Sequence, residues 1–433
     1  MSPSHPSTPR PLPEFLPFAP PDLTEDEMLE IADTLRSGWI TTGPKARLFE
    51  KELGAHLGAT QTLALSSCTA ALHLGLKALN VGPGDGVITT PLTFVSTVHA
   101  IVYTGARPFF CDIDPFDGNL SPEKTRFFLE NHCRRGPHGS YLHPETNTTL
   151  KAILPVHYGG FPVELEKFQE IAKEFKLHIL EDAAHALGAA IGPHKIGSDK
   201  LQKNLGPDLY HLAAFSFYAT KNLTTSEGGL LTGPSPILSR ARILSAYGIG
   251  DSRQIWHDRY APDGSVVSSW DYDVETLGYK NNFTDIQAAL GLSQLRRFPD
   301  FQEKRQLFSQ IYTRALEDLD SVTLPTARPG TTPAWHLFPI RLKIPPVNIT
   351  REKFTQILRE HNLGTSVMFR PVHTFSYYQD LLKYPYLMFP NSLDFFHHTL
   401  SLPMSPKIPV STIEEAAQLV RQLLKQFSSP AFF

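Results

Sequence analysis

Seven short apolar runs, Thr62–Leu65, Gly86–Thr90, Arg107–Ile113, Ala152–His157, Leu177–Glu181, Leu212–Phe217 and Gly229–Thr232, recur through the first half of the chain with helix-like stretches between them. Runs of this length suit strands covered on both faces, because a helix needs more residues to bury one side. Alternation of such strands with helices restricts the fold to a doubly wound, mostly parallel sheet with helices on both faces, an α/β architecture. The residues before it predict two helices. One lies within Asp22–Leu35, with acidic residues in its first turn and Met28, Ile31 and Leu35 at helical spacing, and the other spans Ala46 to Leu57.

The second half differs. A long helix is expected after Leu295, followed by strands such as His336 to Leu342 and helices such as Arg351 to His361. This predicts a Pro- and Ser-rich disordered tail over 1–14, a large α/β domain over 15–275 and a small α+β domain over 276–433. Polar segments at 132–149 and 248–269 are expected as surface loops. With 433 residues and 41% hydrophobic content the chain can fill two cores. A net charge of −3, with no basic cluster longer than Arg134-Arg135, leaves no electrostatic footprint for nucleic acid or an anionic membrane. Cys68, Cys111 and Cys133 form no CxxC pair, and His397-His398 has no partner at ligand spacing, so no disulfide framework or metal site is expected. No signal-peptide core or 18-residue apolar run is present, and a soluble protein of the reducing cytoplasm is the expectation.

Chemistry concentrates in two segments. Ala213-Ala-Phe-Ser-Phe-Tyr-Ala-Thr-Lys221 reads as a buried strand running into a polar turn that carries one lysine. A partly desolvated lysine has a lowered pKa and can attack a carbonyl to form a Schiff base. Most loop lysines do nothing of the kind. Upstream, Leu177-His-Ile-Leu-Glu-Asp182-Ala-Ala-His185 is a strand ending in an acidic pair, with Asp182 and His185 at i and i+3. In open α/β sheets ligands bind at the carboxyl edge of the strands, so all three side chains are predicted to reach one crevice. Pyridoxal phosphate (PLP) needs this set: an amine for its aldehyde, a carboxylate for its ring nitrogen and a hydrogen-bonding group at its phenolic oxygen.

With Ser37-Gly-Trp-Ile-Thr-Thr-Gly-Pro44, Leu154-Pro-Val-His-Tyr-Gly-Gly160, Glu181-Asp-Ala-Ala-His185 and Val372-His-Thr374, the chain resembles the DegT-type, PLP-dependent nucleotide-sugar aminotransferases from Phe15 to about Phe427. Within that family it is most similar to UDP-4-amino-4-deoxy-L-arabinose:oxoglutarate aminotransferases. The resemblance implies the fold-type-I, aspartate aminotransferase-like architecture and transfer of an amino group, with glutamate as donor, to a keto group of a nucleotide sugar in polysaccharide biosynthesis. Lys221 would hold PLP and move the proton during transfer, Asp182 would face the ring nitrogen and His185 the phenolic oxygen. Phe94 would stack on the ring, and Ser216 with the amides of Cys68 and Thr69 would hold the phosphate at a helix N-terminus. Many relatives have glycine where Cys68 stands, which leaves a reactive thiol open. His336 and His373 are the substrate candidates, with structural roles equally open. The family is homodimeric, and either Lys280 or Asn282, in Gly278-Tyr-Lys-Asn-Asn-Phe283, would complete the partner's site. A sugar dehydratase on the same cofactor is the first rival, and Lys221 argues against it. A silent PLP-binding regulatory protein is disfavoured by the intact lysine, aspartate and histidine. A nicotinamide dehydrogenase would need a Gly-x-Gly-x-x-Gly turn after its first strand, which Leu65-Ser-Ser-Cys-Thr-Ala lacks.

Overall fold

The computed structural model describes residues 9–202, 205–250 and 272–428. Seven strands form the main path of a nine-stranded sheet: β1 (Thr62–Leu65), β2 (Asp85–Thr89), β3 (Arg107–Phe110), β4 (Thr148–Leu154), β5 (His178–Asp182), β6 (His211–Ser216) and β7 (Gly229–Thr232). Their order is β1-β7-β6-β5-β4-β2-β3, with β7 antiparallel to both neighbours and the other pairs parallel. The helices include α1 (Glu25–Ser37), α2 (Pro44–Leu57), α3 (Cys68–Ala78), α4 (Val95–Tyr103), α5 (Pro122–His132), α6 (Leu165–Phe175), α7 (Ser235–Ser245) and α8 (Asp285–Leu316). Two apolar cores flank the sheet. Ile153, Ile179, Ala213 and Phe215 face one, while Leu154, Leu180, Leu212 and Ala214 face the other, so alternation along each strand feeds both.

Four expectations are corrected. The tail is not free up to residue 14: Leu12 is buried in the small domain's core, and its N–H donates to His361 O at 3.1 Å. The 132–149 segment is not a plain loop, because residues 134–135 and 141–143 form a hairpin whose inner strand pairs antiparallel with the start of β4. The long helix starts at Asp285, where Thr284 and Gln287 form a capping box, and it continues through Pro299. The core also divides within α8 rather than at 276. Leu292, Phe298 and Phe301 pack into the large domain, whereas Phe308, Tyr312 and Leu316 pack into the small one. From residue 251 to 269 the other expected loop lies outside the described residues.

The small domain is a three-stranded antiparallel sheet (322–323, 338–342, 399–402) backed by helices 351–360 and 410–428. Asp285 fixes α8 against α2, since its buried carboxylate accepts N–H bonds from Gly43 at 2.8 Å, Lys45 at 3.0 Å and Ala46 at 2.9 Å. These amides belong to the start of a helix with no capping side chain of its own. Asp285→Ala is expected to lower stability by about 2 kcal/mol, read as a lower urea midpoint at unchanged slope.

Candidate active site

The carboxyl ends of β1, β2, β5 and β6 meet around a cleft of about 540 Å³ lined by Cys68, Phe94, Asp182, His185, Ser216 and Lys221 among others. β1 turns at Ser67 into α3, with Ala70 N–H donating to Ser67 Oγ at 3.1 Å. Cys68 and Thr69, which open α3, line the cleft, and their amides have no acceptor within their own helix. β7 crosses close beneath. A Cβ on Gly229 would lie 2.4 Å from Ser67 C and 2.5 Å from Cys68 N, so only glycine lets the strand pass the turn. β6 ends at Ser216, and the chain turns back to β7 through a loop pinned by Thr225 N–H on Phe217 O and Phe217 N–H on Gly228 O, both at 2.9 Å. Lys221 stands on that loop.

The electrostatics suit the chemistry expected of each group. Burial lowers the Lys221 amine to about 8, although Cys68 and Asp182 pull it upward. Asp182 is raised above the ordinary carboxylate range by burial, despite the Thr97 hydroxyl donating to Oδ2 at 2.7 Å and the Ala184 N–H donating to Oδ1 at 3.1 Å. A cationic N–H placed against it would supply a missing counter-charge. His185 is held well below its usual value by burial and by the Lys221 charge, so its ring is neutral. Its Nδ1 accepts Gly159 N–H at 3.2 Å, which puts the proton on Nε2. Burial, aided by His185, Lys221 and Arg305, keeps His336 neutral as well, and its Nδ1–H donates to Asn222 Oδ1 at 2.9 Å.

These residues fit PLP. Amides at a helix N-terminus and the Ser216 hydroxyl suit a phosphate, Asp182 suits a ring nitrogen, and the Nε2–H of His185 suits a phenolic oxygen. Phe94 is 57% exposed, on the wall of the cleft rather than in a core, as a ring that stacks on a ligand must be. Cys68 is buried, and burial together with Asp182 raises its thiol well above the usual value, so a reactive thiolate is not supported.

The remaining candidates separate. His336 lines the cleft, its ring 4.3 Å from that of His185. His373 does not reach it: it is buried against Phe389, with Nε2 2.9 Å from Tyr386 O, which corrects its assignment as a substrate residue. Lys280 and Asn282 lie in a separate cavity of about 360 Å³ with Thr42, Arg47, Arg242 and Tyr247, so neither serves the cleft of its own chain. Asn282 Nδ2 donates to Thr42 Oγ1 at 2.7 Å, and Lys280 Nζ donates to Asn282 Oδ1. Sequence reasoning missed Thr97, Asn222, Tyr218, Met368 and Phe369. Thr97 lies one turn after Phe94, so its placement near Asp182 had a local signal. Phe369 arrives from the small domain to stand 5.8 Å from the His185 ring and 5.9 Å from Phe94, and no local pattern marks it.

Comparison with known proteins places this geometry. A family model for the DegT/DnrJ/EryC1/StrS aminotransferases matches residues 21–421. The spore coat polysaccharide biosynthesis protein SpsC of Bacillus subtilis is 39% identical over 413 residues, covering 95% of this chain and 97% of that protein. Spr1654 of Streptococcus pneumoniae, provisionally assigned as a sugar aminotransferase and solved in PLP and PMP forms, superposes with a TM-score of 0.79 at 28% identity; its PLP form covers 95% of this chain and 99% of its own. PseC of Helicobacter pylori, an aminotransferase involved in the biosynthesis of pseudoaminic acid, gives 0.79 at 26% identity, with 96% and 100% covered. The chain therefore belongs to the DegT/DnrJ/EryC1/StrS aminotransferase family and is a PLP-dependent aminotransferase.

Proposed function

We propose that this aminotransferase passes the amino group of an amino acid, with glutamate as donor, to a keto carbon of a nucleotide-activated sugar for polysaccharide or related glycan synthesis. The observation that carries the reading is the cleft itself: beside the Lys221, Asp182 and His185 set, it keeps an open wall of Phe94, Tyr218, Met368 and Phe369. Aromatic rings lining a cleft suit the apolar face of a sugar or the base of a nucleotide. The polysaccharide role of SpsC supports the sugar class. PLP, when bound, supplies an electron sink for the carbanion formed at the donor's α-carbon. Asp182 holds the ring nitrogen's proton, His185 Nε2–H donates to the phenolic oxygen, and Lys221 Nζ takes and returns the proton that moves. In this reading the enzyme is a homodimer whose separate cavity carries Lys280 and Asn282 toward the partner's cleft.

The test supplies glutamate with a panel of nucleotide keto-sugars and seeks aminated product by mass. Amination of a nucleotide sugar supports the reading, whereas amination of free keto acids alone, with every nucleotide sugar inert, overturns it. A pH dependence follows from Lys221. The neutral amine is the nucleophile and its fraction grows as pH rises, so covalent PLP capture by the apo protein should accelerate with pH and reach half its maximum at about 8. Stopped-flow absorbance checks this, and a midpoint near 10 contradicts it.

A further inference from the structure

β5 sends alternate side chains to opposite faces, so Asp182 in the cleft has Glu181 beside it on the buried face. Glu181 has no exposed surface, and each carboxylate oxygen meets an imidazole: His157 Nε2 lies 2.8 Å from Oε2 and His211 Nε2 lies 2.8 Å from Oε1. His157 Nδ1 accepts Val163 N–H at 3.2 Å, which leaves the ring proton on Nε2 to donate. His211 Nδ1 faces Gln169 Nε2 at 3.5 Å, which favours the same tautomer. Burial alone would raise Glu181, but its pairing with the His211 and His157 rings outweighs that and holds the group at about 2. The carboxylate stays ionised in the core.

The three residues come from neighbouring strands of the sheet, distant in the chain: His157 follows β4, Glu181 is on β5 and His211 opens β6. The backbone repeats the link, with Asp182 N–H donating to Pro155 O at 2.8 Å and His157 N–H donating to Asp182 O at 3.1 Å. His157 thus grips Asp182 with its backbone and Glu181 with its ring. A buried ionic cluster is weak evidence for stability, because well-packed apolar side chains of similar volume often replace one without loss. What the cluster fixes is the strand end that carries Asp182.

We infer that Glu181, acting with His157 and His211, is a positioning residue that locks the end of β5 to both neighbours and so holds the Asp182 carboxylate in place for the ring nitrogen of PLP, an inference that rests on the role given to Asp182 above. Glu181→Gln keeps the shape but turns an amide N–H toward one imidazole N–H, and His157 cannot change tautomer to receive it because its Nδ1 is taken.

The test is a double-mutant cycle on the full chain, reading the PLP dissociation constant by absorbance titration of wild type, E181Q, D182N and the double variant, with melting temperatures as the fold check. E181Q should weaken PLP binding about tenfold in the wild-type background and less than about twofold in the D182N background, since a residue acting through Asp182 has nothing left to position. Equal weakening in both backgrounds, or none in the first, overturns the inference while leaving Asp182's role standing. D182N binding PLP like wild type overturns both. Should E181Q fail to fold, H211Q, which keeps an N–H donor, should bind PLP within about twofold of wild type while H211L loses about tenfold. H211L binding PLP like wild type, or losing as much in the D182N background, overturns the inference.

Discussion

Lys221→Ala is expected to fold like the wild type, to bind PLP without covalent capture and to lose kcat by about 10³-fold. The prediction rests on one amine used twice, first to hold the cofactor and then to move the proton. Lys221 is partly buried on the loop between β6 and β7, where desolvation brings its amine to about 8, so a substantial fraction is neutral near physiological pH. Near-UV circular dichroism would confirm the fold, and single-turnover kinetics would separate the lost proton transfer from altered binding. Turnover within tenfold of wild type would remove Lys221 from the chemistry.

Asp182→Asn carries the second large effect. The amide cannot hold a proton on the ring nitrogen, and loss of one charge-assisted contact weakens PLP on the order of 1.5–3 kcal/mol, roughly ten- to a hundredfold in dissociation constant. Turnover should fall further than binding, since saturating PLP restores occupancy but not the electron sink. Near-wild-type kcat at saturating PLP would refute the role. His185→Ala should cost less, because the group it removes is a neutral donor from His185 Nε2 and the phenolic oxygen can turn to water.

The strands of the main sheet were legible because segments covered on both faces are nearly unbroken apolar runs, and Thr62–Leu65 and Gly229–Thr232 fall where the sequence puts them. β4 begins four residues earlier than its apolar pattern, because Thr148–Lys151 is stabilised by the hairpin strand 141–143 that polar composition disguised. The start of α8 was hidden by a turn-like Asn281-Asn-Phe-Thr284, although Thr284 and Gln287 carry the capping-box spacing. Lys221, Asp182 and His185 were readable because each ends or follows a strand, so the carboxyl-edge rule gathers them without tertiary detail. His336 and His373 are the same residue type in equally plausible motifs, and packing alone sends one to the cleft and the other against Phe389. Glu181 looked like half of an acidic pair, and its two imidazole partners come from distant segments.

The most direct measurement is borohydride reduction of the PLP-loaded protein followed by peptide mapping. Reduction fixes the cofactor on whichever amine holds it, independent of substrate. The adduct should map to the peptide containing Lys221 and should not form in Lys221→Ala. An adduct on any other lysine, or undiminished labelling of Lys221→Ala, would contradict the assignment of this cleft as the active site.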